Sequence, residues 1–253
     1  MEAIGAKVVA VIPARFASTR FPGKPLALLA GEPMIVHVVR RAASSLRVDQ
    51  VLVATDDERI ARVATGAGAE AVMTGECASG TDRMAAAVLG RAGWDLAINV
   101  QGDEPLLRGE NIDTLVDGMK AAPEVGIATL CRPLSSTGAN DPACVKVVRR
   151  EDGRALYFSR SMIPYPRQRE TAEGLWRVHL GIYGYRRQAL ARFVGLRPSS
   201  LELAEGLEQL RALQNGLDIL VLDAPFDACG VDTPEDLRMA EELLRAEGPR
   251  RRD

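Results

Sequence analysis

The chain has 253 residues, of which 47% are hydrophobic and 26% charged, and its formal net charge is −2. This length predicts one large α/β domain or two small ones. The near-neutral charge excludes a global basic field that would recruit nucleic acid or a membrane surface, and no apolar run is long enough to span a bilayer. Four cysteines without C-x-x-C spacing and only two histidines make a structural zinc site unexpected, and predict reduced thiols in a cytosolic protein.

The first strong signal is an apolar, β-branched run at residues 8–12, which predicts a buried strand. A loop with three cations, Arg15, Arg20 and Lys24, follows it, together with Gly23 and three prolines. Open α/β sheets bind ligands beyond the carboxyl ends of their strands. We therefore expect this loop to hold an anion, although an ordinary polar connection is the alternative.

Strand and helix patterns alternate through the first half, which predicts a parallel or mostly parallel sheet. The predicted elements are a helix at 33–42, a strand at 50–54, a helix from 56 to about 66, and a short strand at 70–73. Residues 66–71 match G-x-G-x-x-A formally. A dinucleotide site requires a strand before this motif and a helix after it, which is the reverse of the pattern here, so we predict a helix stop.

A Ser79-Gly80-Thr81 turn precedes an alanine-rich helical pattern. Hydroxyls and free N–H groups at a helix N-terminus can contact an anion or a polar base. The structural alternative is a helix cap made by Thr81 or Asp82, and both roles are compatible.

A third strand at 95–100 runs into Gln101, Asp103 and Glu104. Asp103 is the first candidate metal ligand, because Mg²⁺ prefers oxygen ligands and takes one or two protein carboxylates. A solvated loop is the alternative reading of this segment.

Residues 230–237 predict the start of a helix, with Thr233 as the N-cap, Pro234 at the first position and Asp236 as the capping acid. Those roles do not require Asp232, which immediately precedes the cap. Asp232 is therefore considered as a second metal ligand.

The pattern changes at Val125, where short strand-like runs follow one another without long helices, at 126–130, 144–148, 155–158 and 178–185. We predict a single domain, 1–253, with an antiparallel or mixed insertion at about 125–186 that forms a substrate lid or a subunit contact. A helix is predicted at 201–210 and a late strand at 218–222. Of the two histidines, His179 is the better candidate for a substrate contact, because His37 lies in an apolar helix.

The combined inventory suits a polyphosphate, Mg²⁺ and a polar base. A P-loop is excluded, because no glycine lies five residues before Gly23 and Pro25 replaces the Ser or Thr. No Ser/His/acid set or G-x-S-x-G motif is present. Phosphoryl and nucleotidyl transfer need positioning and charge neutralisation more than covalent chemistry, and these residue types can supply both.

The chain closely resembles the 3-deoxy-D-manno-octulosonate (Kdo) cytidylyltransferases, also called CMP-Kdo synthetases. The matching segments span nearly the whole sequence, and QGDEP, HLGIYGY and GVDTPEDL are the most specific. They are IPARFASTRFPGKPL (12–26), PMIVHVV (33–39), VATDDE (53–58), SGTDR (79–83), NVQGDEPL (99–106), VKVV (145–148), ALYFSR (155–160), HLGIYGYR (179–186), LEQLRAL (207–213) and GVDTPEDL (230–237).

The resemblance implies a Rossmann-like nucleotidyltransferase fold of mostly parallel sheet with an inserted dimerisation region. It implies a cytoplasmic homodimer that converts CTP and Kdo into CMP-Kdo and pyrophosphate with Mg²⁺ as cofactor, for lipopolysaccharide biosynthesis. No nucleic-acid or membrane partner is implied.

The resemblance also implies roles for individual residues. Arg15 and Lys24 hold the triphosphate, and with the metal ligands Asp103 and Asp232 they form the catalytic set. Ala14, Arg15, Ser79 and Gly80 contact the nucleotide. The sugar acid is expected near a larger group of side chains, namely Arg20, Arg83, Gln101, His179, Tyr185, Glu202 and Gln209.

Three departures from the family pattern bear on the substrate. Phe21 replaces a common Leu, Tyr165 replaces a frequent Trp, and residues 198–204 match loosely. The last departure concerns the sugar pocket, so a related 2-keto sugar acid of the sialic-acid or amino-Kdo type is the alternative substrate. A glycosyltransferase on a related fold and a nucleotide-sensing module without turnover are the remaining alternatives.

Overall fold

A computed structural model describes residues 7–17, 21–168 and 174–247. In its first half, helices follow strands in regular alternation. The elements are β1 Val8–Ala14, a 3₁₀ turn Lys24–Leu26, β2 Leu28–Leu29, β3 Glu32–Pro33, α1 Met34–Ala43, β4 Gln50–Thr55, α2 Glu58–Gly66, β5 Glu70–Met73, α3 Gly80–Val88, β6 Leu96–Asn99 and α4 Gly109–Ala121.

The second half contains more strands and shorter helices. Its elements are β7 Ile127–Pro133, α5 Ser136–Asn140, β8 Lys146–Arg149, β9 Ala155–Ser159, β10 Arg177–Arg186, α6 Arg187–Val194, α7 Ser200–Glu205, α8 Gln209–Gln214, β11 Ile219–Asp223 and α9 Pro234–Glu247. The chain divides into two compact units, one ending at Asp113 and resuming at Phe226, the other running from Thr114 to Pro225.

The first unit is built on four parallel strands in the order β6, β1, β4, β5. β1 is central because Val8 to Ile12 is apolar on both faces and is buried throughout. Its carboxyl end carries Ala14 into the cationic loop, and the carboxyl end of β6 leads to Gln101. The predicted parallel α/β arrangement is therefore confirmed for this part of the chain.

The formal G-x-G-x-x-A match is a helix stop, as predicted. The side chain of Asp57 caps α2 by accepting from the backbone N–H groups of Arg59 and Ile60. The helix ends at Gly66, and β5 then pairs with β4. The segment thus connects a helix to an edge strand and does not open a helix.

The second unit contains a mixed sheet. β7 pairs in parallel with β11 and antiparallel with β10, while β8 pairs antiparallel with both β10 and β9. The change from parallel to antiparallel pairing agrees with the change of pattern at Val125. The predicted helix at 201–210 is wrong as one element, because Gly206 ends α7 in the left-handed conformation at φ 63° and α8 starts separately.

Within the described ranges, none of the helices is both long and apolar enough to cross a membrane.

Candidate nucleotide and metal site

An open cavity of about 240 Å³ lies in the first unit, beyond the carboxyl ends of β1 and β6. Nine of the predicted site residues line it, although they come from four separate parts of the sequence. They are Ala14, Arg15, Lys24, Ser79, Gly80, Arg83, Gln101, Asp103 and Asp232. The carboxyl edge of the parallel sheet therefore gathers the cationic loop, the helix start and both candidate metal ligands.

Lys24 lies between the two predicted metal ligands. Its Nζ donates to Asp103 Oδ2 at 2.7 Å, to Asp232 Oδ1 at 3.2 Å and to the Val231 carbonyl at 2.9 Å. The three segments are distant in sequence, so their meeting is a product of the fold. These groups form a small ion cluster at the cavity, in which the ammonium has three hydrogen-bond acceptors.

Backbone contacts hold the two carboxylates near each other. The Val231 N–H donates to the Asp103 carbonyl at 2.8 Å, which ties the segment before α9 to the loop after β6. The Asp236 carboxylate accepts from the N–H groups of Asp232 and Thr233, and Thr233 caps α9 as predicted. Asp232 is thus placed by the capping acid, while its own side chain is directed to Lys24.

The donor set fits Mg²⁺. The carboxylates of Asp103 and Asp232 both contact the Lys24 ammonium, so this position accommodates a positive charge. Among the described residues, no group of three or more His, Cys, Asp or Glu side chains could hold a metal. A magnesium ion held by Asp103 and Asp232 would therefore need substrate oxygens and water to complete its shell, which is its usual habit in phosphate chemistry.

Ser79 is the N-cap of α3, so the expectation of a cap at Thr81 or Asp82 is wrong. The Ser79 hydroxyl accepts from the Asp82 N–H at 3.1 Å and donates to the Asp82 carboxylate at 3.0 Å. Gly80, the first residue of the helix, faces the same cavity. The cap fixes the backbone at the start of α3, and the same backbone faces the cavity where a ligand would bind.

Gly102 is a lining residue that was not singled out from the sequence. A Cβ at this position would lie 2.8 Å from the Pro13 carbonyl oxygen, so the loop after β6 passes the end of β1 at backbone contact distance. Cys77, Ala78 and the two prolines Pro13 and Pro25 also line the cavity. Their proximity in sequence to Ser79 and Lys24 was the only signal that could have identified them.

The three predicted arginines differ in their surroundings. Arg15 is exposed on the cavity wall. Arg83 is buried, and its guanidinium donates to Asp56 Oδ2 and to Thr74 Oγ1, each at 2.6 Å. Arg20 lies outside the described residues. The charge of Arg83 is therefore largely balanced inside the protein, whereas Arg15 is exposed at the cavity.

Glu104, next to Asp103, is buried, and its Oε2 has no hydrogen-bond partner among the described residues. Burial raises the pKa of Glu104 to about 8, and the neighbouring Asp103 carboxylate adds to the increase. Glu104 is thus mainly protonated at pH 7. The sequence presents Asp103 and Glu104 as two acids in one loop, whereas in the structure Asp103 lines the cavity and Glu104 is buried.

His179 and Tyr185 lie on β10 in the second unit. The Thr129 hydroxyl donates to the Ile182 carbonyl at 2.7 Å, so it accepts from the His179 Nε2–H at 3.0 Å. The rings of Phe158 and Tyr183 lie 5.2 and 5.3 Å from the imidazole. This enclosure lowers the pKa of His179 to about 3, and the ring is neutral at pH 7. Tyr185 is buried between Tyr183 and Phe193.

Glu202 and Gln209 are also in the second unit. Glu202 belongs to the capping box of α7 with Ser199, and it forms a two-pronged ion pair with the buried Arg211. Gln209 is the first residue of α8 and is buried. The Glu202 carboxylate therefore already has a structural role, and no described contact of Gln209 indicates one.

Comparison with known proteins finds relatives along nearly the whole chain. A family model described as cytidylyltransferase matches residues 9–219. A 3-deoxy-manno-octulosonate cytidylyltransferase of Anaeromyxobacter dehalogenans (strain 2CP-1 / ATCC BAA-258) is 49% identical, covering 94% of this chain and 98% of that protein. One from Escherichia coli is 45% identical, covering 95% of this chain and 97% of that protein.

The fold has a close counterpart among solved structures. A CMP:2-keto-3-deoxy-manno-octonic acid synthetase complexed with CTP superimposes with a TM-score of 0.91 at 44% identity, covering 96% of this chain and all of that one. The expected Rossmann-like nucleotidyltransferase fold is thereby confirmed. The chain belongs to the cytidylyltransferase family, and within it to the 3-deoxy-manno-octulosonate cytidylyltransferases.

Proposed function

We propose that the protein transfers CMP from CTP to the anomeric hydroxyl of Kdo, giving CMP-Kdo and pyrophosphate for lipopolysaccharide biosynthesis. The observation that carries the proposal is the single cavity that combines Arg15, Lys24 and the helix start at Ser79 with two carboxylates. The names of relatives that are 45–49% identical over nearly the whole chain support Kdo as the acceptor.

In the proposed reaction, the anomeric oxygen of the sugar forms a bond to the α-phosphorus of CTP. The bond from that phosphorus to the bridging oxygen breaks, pyrophosphate leaves with the bonding electrons, and the hydroxyl proton passes to solvent. Arg15 and Lys24 neutralise the charge of the departing pyrophosphate, which needs no covalent intermediate on the protein. Ala14, Ser79 and Gly80 line the same cavity and are assigned to the nucleotide.

Asp103 and Asp232 are assigned to Mg²⁺, which when bound lowers the pKa of the attacking hydroxyl and screens the phosphates. The contribution of this chain is to hold the two carboxylates at one place, through the Val231–Asp103 backbone bond and the Asp236 cap.

On the sugar side, we assign Arg20, Arg83, Gln101, His179, Tyr185, Glu202 and Gln209 to the acceptor, following the family resemblance. Neutral His179 offers Nδ1 as a hydrogen-bond acceptor for a sugar hydroxyl, because its Nε2–H is committed to Thr129. A neutral imidazole can distinguish sugar acids by the positions of their hydroxyl groups without adding charge to the site.

The test is pyrophosphate release from CTP and Mg²⁺ across a panel containing Kdo, an amino-substituted Kdo and sialic acid. We expect turnover with Kdo and at least about tenfold lower kcat/KM with the other acids, the usual effect of losing a matched polar contact. Preference for another acid would replace Kdo in the proposal. If no acid in the panel releases pyrophosphate although CTP still binds, a sensing module is favoured. If the protein instead consumes a CMP-sugar without releasing pyrophosphate, a glycosyltransferase is favoured.

We further propose a cytoplasmic homodimer. All four cysteines are free thiols, as expected for a reducing compartment. Leu156 and Tyr165 in the second unit are exposed to 58% and 83%, and we assign them to the subunit interface. Sedimentation equilibrium should give twice the chain mass, and a monomer at micromolar concentration would contradict the dimer.

A further inference from the structure

The ammonium of Lys24 occupies the position between Asp103 and Asp232. Its distances to the two carboxylates are ordinary ion-pair distances, and the Val231 carbonyl provides a third acceptor. The Lys24 side chain is only 13% exposed, whereas the side chains of Asp103 and Asp232 are 32% and 48% exposed. The lysine is thus the most enclosed member of the cluster.

We propose that Lys24 closes this carboxylate pair to divalent cations until a nucleotide is bound, so that metal and triphosphate enter together. The inference rests on the proposed function for the identity of the nucleotide. Lysine and metal compete for the same oxygens, and the triphosphate releases Lys24 by offering it other anionic oxygens.

Charge explains the competition. One ammonium and two carboxylates carry a combined charge of −1, whereas the pair without the ammonium carries −2 and attracts a divalent ion much more strongly. A metal that entered beside Lys24 would face a fixed positive charge at short distance. Divalent ions also give up their bound water reluctantly, so a carboxylate pair whose charge lysine has partly neutralised competes poorly with water for the ion.

The geometry explains why a nucleotide relieves the block. Lys24, Arg15 and both carboxylates line one cavity, so a triphosphate within it lies inside the reach of the lysine side chain. When Lys24 turns to the phosphates, it exchanges two carboxylate partners for phosphate oxygens. The vacated carboxylates and the phosphates can then share the cation.

The first experiment measures binding of Mn²⁺ alone, a spectroscopic substitute for Mg²⁺, by electron paramagnetic resonance without nucleotide. We expect weak binding to the wild-type protein and about tenfold tighter binding to Lys24→Met, because two ion pairs no longer oppose the metal. Adding Asp232→Asn to that variant should remove the gain. Lys120→Met, which removes an exposed lysine from α4, is the matched control and should bind as the wild type does.

Equal Mn²⁺ affinity in the wild type and Lys24→Met, with both folded by circular dichroism, would overturn the proposal. Pyrophosphate release by the wild type is measured separately. If the Mn²⁺ results hold but CTP is not consumed, the placement of Lys24 stands and the proposed function fails.

The second experiment uses the wild-type protein and therefore does not depend on the folding of a variant. The chain has only four lysines, Lys7, Lys24, Lys120 and Lys146, so ¹⁵N-lysine labelling gives at most four side-chain ammonium signals. The Lys24 signal should be unaffected by millimolar Mg²⁺ alone and should shift when Mg²⁺ and CTP are added together. A shift with Mg²⁺ alone would show that the metal displaces the lysine unaided, which is the opposite of the proposal.

Discussion

Asp103 takes part in the site through two different groups. Its backbone carbonyl accepts from Val231 and its carboxylate from Lys24. The first contact shapes the loop and does not depend on the side chain, while the second concerns charge. A substitution that keeps the size of the side chain therefore separates fold from chemistry at this residue.

Asp103→Asn should fold normally and lose at least about 100-fold in kcat, because a neutral amide holds Mg²⁺ poorly and transition-state charge is no longer screened. The measurement is pyrophosphate release with CTP, Kdo and Mg²⁺, with circular dichroism to verify folding. Glu235→Gln, on the exposed start of α9, is the matched control and should retain its rate. A near-normal rate in Asp103→Asn would disprove the metal assignment.

His179 is a second residue whose protonation is set by its surroundings. Burial among Thr129, Phe158 and Tyr183 lowers its pKa from 6.5 to about 3. Between these two pH values the unfolded chain binds a proton that the folded chain does not. The free energy of unfolding therefore decreases as the pH falls through this range.

When the pH is lowered from 7 to 4.5, His179 should reduce the free energy of unfolding of the wild type by roughly 2–3 kcal/mol, since one pKa unit is worth about 1.4 kcal/mol. His179→Gln lacks the titrating group and should lose less stability over the same interval. Urea unfolding at several pH values measures the difference. If both proteins lost the same unfolding free energy over this pH interval, the folded protein would protonate His179 in the same pH range as the unfolded chain does.

At the scale of an element, the cationic loop is anchored by Phe16. The guanidinium of Arg59, at the start of α2, lies 3.7 Å from the Phe16 ring centroid, and the Gly23 N–H donates to the Phe16 carbonyl at 3.0 Å. Asp57 fixes Arg59 with a 2.6 Å ion pair. Helix α2 thus contacts Phe16, which is far from it in sequence, and Phe16 in turn holds Gly23, next to Lys24.

Phe16→Leu keeps apolar bulk but removes the stack, so it should raise KM for CTP about two- to fivefold and change kcat little, as expected for a loss of 0.5–1 kcal/mol. Steady-state kinetics with varied CTP gives both constants. Phe226→Leu is the matched control, because its ring is stacked on Arg108 in the same way, at 4.4 Å, but lies outside the segment from Arg15 to Lys24. An equal change in both variants would assign no positioning role to Phe16.

At the scale of the whole molecule, a net charge of −2 leaves anion binding to local groups, and the cavity wall provides them. Lys24 also balances part of the charge of the two carboxylates of the proposed metal site in the absence of metal. Folding stability and metal binding are therefore expected to be separate properties in this protein. This differs from structural metal sites, whose binding free energy is part of the folding free energy.

Chelation with EDTA should abolish pyrophosphate release and leave Tm within about 2 °C of its original value, because no folded element depends on the metal. Activity should return on addition of excess Mg²⁺. Differential scanning calorimetry with and without EDTA provides the measurement. A decrease of Tm by more than about 5 °C would show that metal is part of the folded structure.

The sequence by itself determined the features that arise from neighbouring residues: the buried first strand, the alternation of strands and helices, the helix stop at Gly66, and the cap at Thr233 with its acid Asp236. These follow from side-chain period and local hydrogen bonds. The resemblance carried by the longer motifs also identified the family, and it named nine residues that line the cavity.

Only the tertiary structure decided which of these residues meet and what charge they carry. It placed Lys24 between Asp103 and Asp232, paired Arg83 with Asp56, and buried Glu104 in its protonated form. Such contacts join segments far apart in the chain, and their strength depends on burial, which no local pattern contains. The physical reason is that local geometry is encoded every few residues, whereas electrostatics is set by whatever the fold brings within a few ångströms.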